Sequence, residues 1–236
     1  MENFLHFKAT LSILIVIATV LFYFFLIVSK TLINNSKKLG IVFTQTTIIL
    51  YHRILGFVLF GLIPTLTIIF IFKSSLKKYG LIFQTGFSSV LLILLFGGLF
   101  MLINFMHAKS KANLEMYPQI RAKEWNYSLL LVSAFSWIIY LFAYEFMFRG
   151  FLLFSCLNEF GILTAIVINV LLYTLAHTTK GIREFLGSIP MGIFLCLISL
   201  YFKSFIPAFW IHCCLAVSNE WYSIQYNQEI KIIKNW

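Results

Sequence analysis

Apolar runs separated by short polar breaks fill most of the chain. They cover residues 9–29, 54–72, 81–106, 129–157, 162–177, 185–202 and 205–224. A helix rises 1.5 Å per residue, so each run is close to the length that crosses a hydrocarbon core of about 30 Å. The runs are continuous, whereas membrane strands alternate in polarity over about ten residues. The pattern predicts an all-α, polytopic transmembrane helical bundle of about seven spans.

The breaks give the chain its organisation. Residues 1–8 are short, and secretory signals have a shorter apolar region than the run that follows and a small-residue cleavage site, so that run reads as a retained span. A polar loop over 30–40 carries Lys30, Lys37 and Lys38. Residues 41–51 are too few to span alone and run into His52 and Arg53, so they lie at the interface or extend the second span, which contains Pro64. A basic turn follows over 73–80. In the third span, Gly97 and Gly98 permit close helix approach. The longest polar segment, 107–126, separates the N-terminal helices (1–106) from a C-terminal core (127–224), which ends in a tail (225–236) with Lys231 and Lys234. No solenoid or transporter repeat is visible.

Composition supports this class. The chain is 61% hydrophobic and 11% charged, with 27 phenylalanines, a balance typical of polytopic membrane proteins. Its formal charge of +10 comes from lysines gathered in short loops, where they favour anionic lipid head groups. No basic helix or aromatic platform marks a nucleic-acid partner. Because lysines occur in nearly every loop, they do not fix the orientation. Cys156, Cys196, Cys213 and Cys214 all lie in apolar runs without metal-binding spacing, as small packing residues do.

Against this background a few polar residues stand out. Glu145 and Arg149 sit four residues apart in the fourth run, on one helix face, where each offsets the other's charge. A carboxylate or guanidinium at such depth costs roughly 2.5–3.5 kcal/mol on insertion scales. His177, four residues after Tyr173, ends the fifth run, and His212 lies in the seventh. Glu184 follows the break after His177, and Asn219 and Glu220 lie about two turns beyond His212. A desolvated carboxylate near a cation can activate water, and imidazoles can stabilise an oxyanion. Glu145, His177 and His212 are also residue types that bind zinc, although no HExxH motif is present. Paired intramembrane charges mark translocation paths as well, and each residue taken singly can be structural.

Three motifs, in order, resemble the CPBP intramembrane protease family: the CAAX prenyl endopeptidases and the bacteriocin-linked Abi proteins. The family's EExxxR with a following Gly appears here as Tyr144-Glu145-Phe146-Met147-Phe148-Arg149-Gly150. Its aromatic residue four before a His appears as Tyr173 and His177, and its HxxxN as His212-Cys213-Cys214-Leu215-Ala216. The family's usual water activator is replaced by Tyr144 and its Asn by Ala216. Successive helix positions point about 100° apart, so Glu145 is not an automatic substitute.

The resemblance implies an intramembrane endopeptidase in which Glu145, His177 and His212 are catalytic. Arg149, Tyr144, Tyr173, Glu184, Asn219 and Glu220 would then be supporting. It implies membrane lipids and a membrane-associated or prenylated-type peptide as partners, the bacterial cytoplasmic membrane as location, and no certain cofactor beyond a candidate zinc ion. The departures keep open a catalytically inactive binding or chaperone-like protein, and a transporter is a further alternative.

Overall fold

The computed structural model describes residues 2–29 and 44–233; the polar loop over 30–40 and Lys234 lie outside the described residues. Five helices are long and apolar enough to cross a membrane: Phe7–Val28, Gln45–Ile71, Phe87–His107, Tyr127–Leu175 and Ile182–Phe202. The 49-residue helix among them is broken at Gly161, whose backbone (φ 75°, ψ 176°) is non-helical. Only glycine tolerates that conformation cheaply. The break separates the fourth and fifth apolar runs where the sequence places their boundary. A last helix, Ile206–Tyr226, carries too many polar residues for that apolarity but packs inside the bundle. The protein is thus an all-α membrane helical bundle.

In chain order the elements are α1 (Glu2–Val28), α2 (Gln45–Ile71), α3 (Phe87–His107), the short α4 (Lys111–Met116), α5 (Tyr127–Glu145), α6 (Leu153–Leu175), α7 (Ile182–Phe202) and α8 (Ile206–Tyr226). Thr44 caps α2 by accepting the Thr47 amide at 3.2 Å, so residues 45–51 extend the second span. Pro64 lies in that helix between wider π-helical turns at Val58–Leu62 and Thr67–Ile71. A proline removes a backbone donor, and widened turns accommodate the loss. Asn126 caps α5 through the Leu129 amide at 2.9 Å.

One expected boundary moves, and one element is new. The third span starts at Phe87 rather than near Leu81, because residues 80–86 form a loop bounded by left-handed glycines, Gly80 and Gly86. Inside the long polar segment, Glu124–Trp125 (β1) pairs in parallel with Lys231–Ile232 (β2), a contact between distant segments that no local pattern signals.

The connections gather at two ends. At one, the Phe205 amide donates to the Gly80 carbonyl at 3.2 Å and Ser204 Oγ to the Ile82 carbonyl at 2.7 Å. At the other lie the β1–β2 pair and Tyr117, whose phenol neighbours Glu184. A Cβ on Gly97 would meet Cys214 Sγ at 2.9 Å, so α3 and α8 approach closely there. Outward positions such as Leu94, Leu163 and Tyr201 remain exposed, as lipid-facing side chains do.

Candidate active site

The site forms where α5 gives way to a π-helical segment, Phe146–Leu152, before α6. Such turns leave carbonyls out of the regular ladder and recur at functional sites. Here the Asn169 side-chain amide of α6 donates to the Phe148 carbonyl at 2.6 Å, and its Oδ1 accepts from Cys196 Sγ at 3.2 Å. Gly150 is required by closeness: an added Cβ would lie 2.8 Å from the Tyr79 carbonyl.

Glu145 and Arg149 are both completely buried. Arg149 Nε stands 3.4 Å from Glu145 Oε2. The guanidinium lies over the Tyr173 ring, 3.9 Å from its centroid, and among the described residues none of its nitrogens has an acceptor at hydrogen-bonding geometry. Its compensation is therefore the carboxylate and the ring face, a cation–π arrangement favoured by desolvation. The other carboxylate oxygen, Oε1, lies 2.6 Å from His212 Nδ1. An ionised carboxylate can only accept, so Nδ1 donates and Nε2 keeps the ring's lone pair.

His177 is oriented by similar logic. Its Nδ1 is 2.9 Å from the Tyr173 carbonyl, which also only accepts, so Nδ1–H donates there. The Tyr144 hydroxyl lies 3.5 Å from the same nitrogen. Tyr144 and Tyr173 hold the two histidines in one aromatic cluster. The Tyr144 ring stands edge-on to both imidazoles, with centroids 6.2 Å and 6.3 Å away; from Tyr173 they lie at 4.5 Å and 6.5 Å. Side chains from three apolar runs thus meet around Tyr144.

A cavity of about 370 Å³ reaches this cluster. Tyr144, Ala176 and Thr179 line one part of it, and residues of α1, α2 and the 116–119 segment line the rest. Tyr144 belongs both to the cavity wall and to the imidazole cluster. Glu145, one residue on, points the other way into the ion pair. The 100° step between successive positions decides which of the two carries which task.

Glu184, Asn219 and Glu220 do not join this cluster. Glu220 lies two turns, about 12 Å, along α8 from His212 and belongs to a second buried polar centre. Its Oε1 accepts from Arg53 at 3.4 Å and from Ser133 Oγ at 3.2 Å, while Oε2 accepts the Gln119 amide at 3.0 Å. Asn219 is half-buried on the same turn. Glu184, also half-buried, faces Tyr117; burial, and then this carboxylate, push the Tyr117 phenol well above its usual pKa. Arg53, just beyond the 41–51 stretch, is buried, donating also to Ser133 and Ser136 and stacking over Trp137. The available signal was a guanidinium inside a span extended to residue 45.

Zinc fits this set poorly. Among the described residues no three His, Cys, Asp or Glu side chains are grouped to hold a metal ion. The guanidinium 3.4 Å from Glu145 already supplies the positive charge a dication would bring.

The fold and this centre define a class: a helical integral membrane protein with a buried carboxylate–imidazole–guanidinium site beside a cavity. Residues 125–218 match the family model for type II CAAX prenyl endopeptidase Rce1-like proteins. Over that segment, which is less than half of the chain, the sequence is similar to this family. No curated protein and no solved structure gives a match.

Proposed function

We propose that the protein is an intramembrane endopeptidase that hydrolyses a peptide bond with water activated by the Glu145–His212 pair. The observation that carries this reading is the 2.6 Å contact between Glu145 Oε1 and His212 Nδ1 inside a fully buried ion pair. A carboxylate that holds Nδ1–H fixes the ring so that Nε2 is the basic nitrogen, and it stabilises the imidazolium once formed. Glu145 then acts through His212, and Arg149 holds Glu145 in place.

In the proposed step, His212 Nε2 takes a proton from water as the water oxygen bonds to the scissile carbonyl carbon. The imidazolium next gives that proton to the leaving nitrogen as the C–N bond breaks. Tyr144 supplies the donor for the developing oxyanion. His177 Nδ1–H leans toward the phenol oxygen as well as the Tyr173 carbonyl, which leaves the phenol proton for the cavity. In this role Tyr144 is a hydrogen-bond donor in place of the family's acid, and the Asn replaced by Ala216 is not needed for it. The substrate would be a membrane-associated or prenylated-type peptide, and the membrane the bacterial cytoplasmic one, in line with the bacterial relatives the motifs resemble.

Tyr144 and Ala216 favour one competing reading, a protein that kept the fold for binding and lost hydrolysis. The two separate in purified protein reconstituted into proteoliposomes with a panel of transmembrane and C-terminally lipidated peptides. The proteolytic reading expects cleavage by the native protein, reduced about 10²–10⁴-fold in both Glu145→Gln and His212→Ala, with melting curves showing both variants folded. Undiminished cleavage in either variant removes that residue from the mechanism. Peptide binding without cleavage by the native protein supports the competing reading.

A further inference from the structure

The end of the bundle where Phe205 meets Gly80 gathers lysines that the chemistry above does not use. The Phe205 amide on the Gly80 carbonyl and Ser204 Oγ on the Ile82 carbonyl hold the single turn Leu76–Tyr79 beside the turn that ends α7. Lys77, Lys78 and Lys203, all exposed, thereby line one groove of about 390 Å³. Its other walls include Phe154, Leu157 and Ile162, from both sides of the α6 break, and Leu200 of α7. Ile162 is 61% exposed, so the groove opens on the lipid-facing surface. A smaller pocket of about 190 Å³ shares Lys78 and adds Lys8, Ser74 and Asn158. Among the described residues no carboxylate lines either pocket, and none of Lys77, Lys78 and Lys203 forms an ion pair.

The backbone adds a second observation. Lys203 closes α7 in the left-handed region, at φ 50°, where glycine or asparagine is the usual residue. The negative end of α7 favours one cation there, which accounts for one of the three charges. Depth is marked by Tyr201, 75% exposed and two residues before Lys203, as tyrosines at the membrane–water boundary are placed. The lysines therefore lie at head-group level and the apolar walls at the level of acyl chains. A free phosphate gains nothing from those walls, and an uncharged lipid nothing from three ammonium groups. An anionic phospholipid uses both.

We infer that this groove is a binding site for one anionic phospholipid, its phosphate among Lys77, Lys78 and Lys203 and an acyl chain along Phe154, Leu157, Ile162 and Leu200. The site is defined by binding and holds whatever reaction the protein performs. It reaches the candidate active site through one contact, since the Tyr79 carbonyl packs against Gly150 in the π-helical segment after Glu145. A lipid that fixes the Leu76–Tyr79 turn steadies that segment, so occupancy raises thermal stability.

The test uses the full-length protein, delipidated in detergent and titrated with phosphatidylglycerol or phosphatidylcholine of the same chains. Native mass spectrometry counts the bound lipid, and a thermal melt reports its effect. One phosphatidylglycerol per chain should be retained in preference to phosphatidylcholine, with a rise in melting temperature. Combining Lys77→Gln, Lys78→Gln and Lys203→Asn, the last a change that suits the left-handed backbone, should weaken this binding about 10–100-fold. Combining Lys109→Gln, Lys111→Gln and Lys123→Gln makes the same charge change at the other end and should leave it intact. One readout needs no variant: phosphatidylglycerol with a diazirine in its acyl chain should label Phe154, Leu157, Ile162 or Leu200. Inorganic phosphate at millimolar concentration should not displace the lipid; displacement would make the groove a plain anion site and overturn the assignment. Equal retention of the two lipids, equal loss in the two triple variants, or labelling only outside the groove overturns it as well. If the first triple variant does not fold, the labelling and phosphate results decide.

Discussion

Single residues in this protein carry tasks that their neighbours in sequence do not share. Tyr144 faces the cavity and Glu145 the ion pair, although they are adjacent in the chain. The motif around them was readable because charges in an apolar run are costly, so Glu145, Arg149, His177 and His212 announced themselves. Their division of labour was not readable, because it depends on whether a side chain points toward α8 or toward α1 and α2. Gly150 shows the same limit: its glycine follows from the Tyr79 carbonyl on a loop some seventy residues earlier. Gly150→Ala should lower stability by about 1–3 kcal/mol, since the backbone oxygen 2.8 Å from the new Cβ has little freedom to yield. The expected observation is a fall in melting temperature in detergent, and an unchanged melting temperature would show that the loop gives way.

At the scale of elements, hydrophobic runs located the helices well, and Asn158-Glu159-Phe160-Gly161 marked the break inside α6 where Gly161 turns. The reading failed where apolar residues form a loop. Leu81, Ile82 and Phe83 look like the start of a span, but the left-handed Gly80 and Gly86 hold them outside α3, and the Ile82 carbonyl is taken by Ser204. It also underrated α2, whose Arg53 bridges α5 and α8 through Ser133, Ser136 and Glu220. That bridge is a testable element-level contact. Arg53→Met leaves the Glu220 carboxylate buried without its cation and should cost about 3–5 kcal/mol. Adding Glu220→Leu should restore most of the loss, because two apolar residues replace a buried pair at little cost. If the double variant is as unstable as the single one in chemical denaturation, the Arg53–Glu220 pair is not what stabilises the α2–α5–α8 junction.

For the whole molecule, the bundle does two things that its parts cannot. It brings a carboxylate, a guanidinium and two imidazoles from three separate apolar runs into one cluster, and it places a cavity with a polar wall against that cluster. Fold class and the identity of the charged residues were open to a sequence reading, since both follow from local composition. The second buried centre and the cavity were not, because they arise from contacts between residues up to 167 positions apart, such as Arg53 and Glu220. The central claim is that water, made nucleophilic by His212 under the control of Glu145, opens a peptide bond inside the membrane. It is measured most directly by running the proteoliposome cleavage reaction in H₂¹⁸O and weighing the products. One ¹⁸O atom in the newly formed carboxyl group, with no labelled product above background from His212→Ala, is the expected result. A new carboxyl group without ¹⁸O, or labelled product formed at the native rate by His212→Ala, contradicts it.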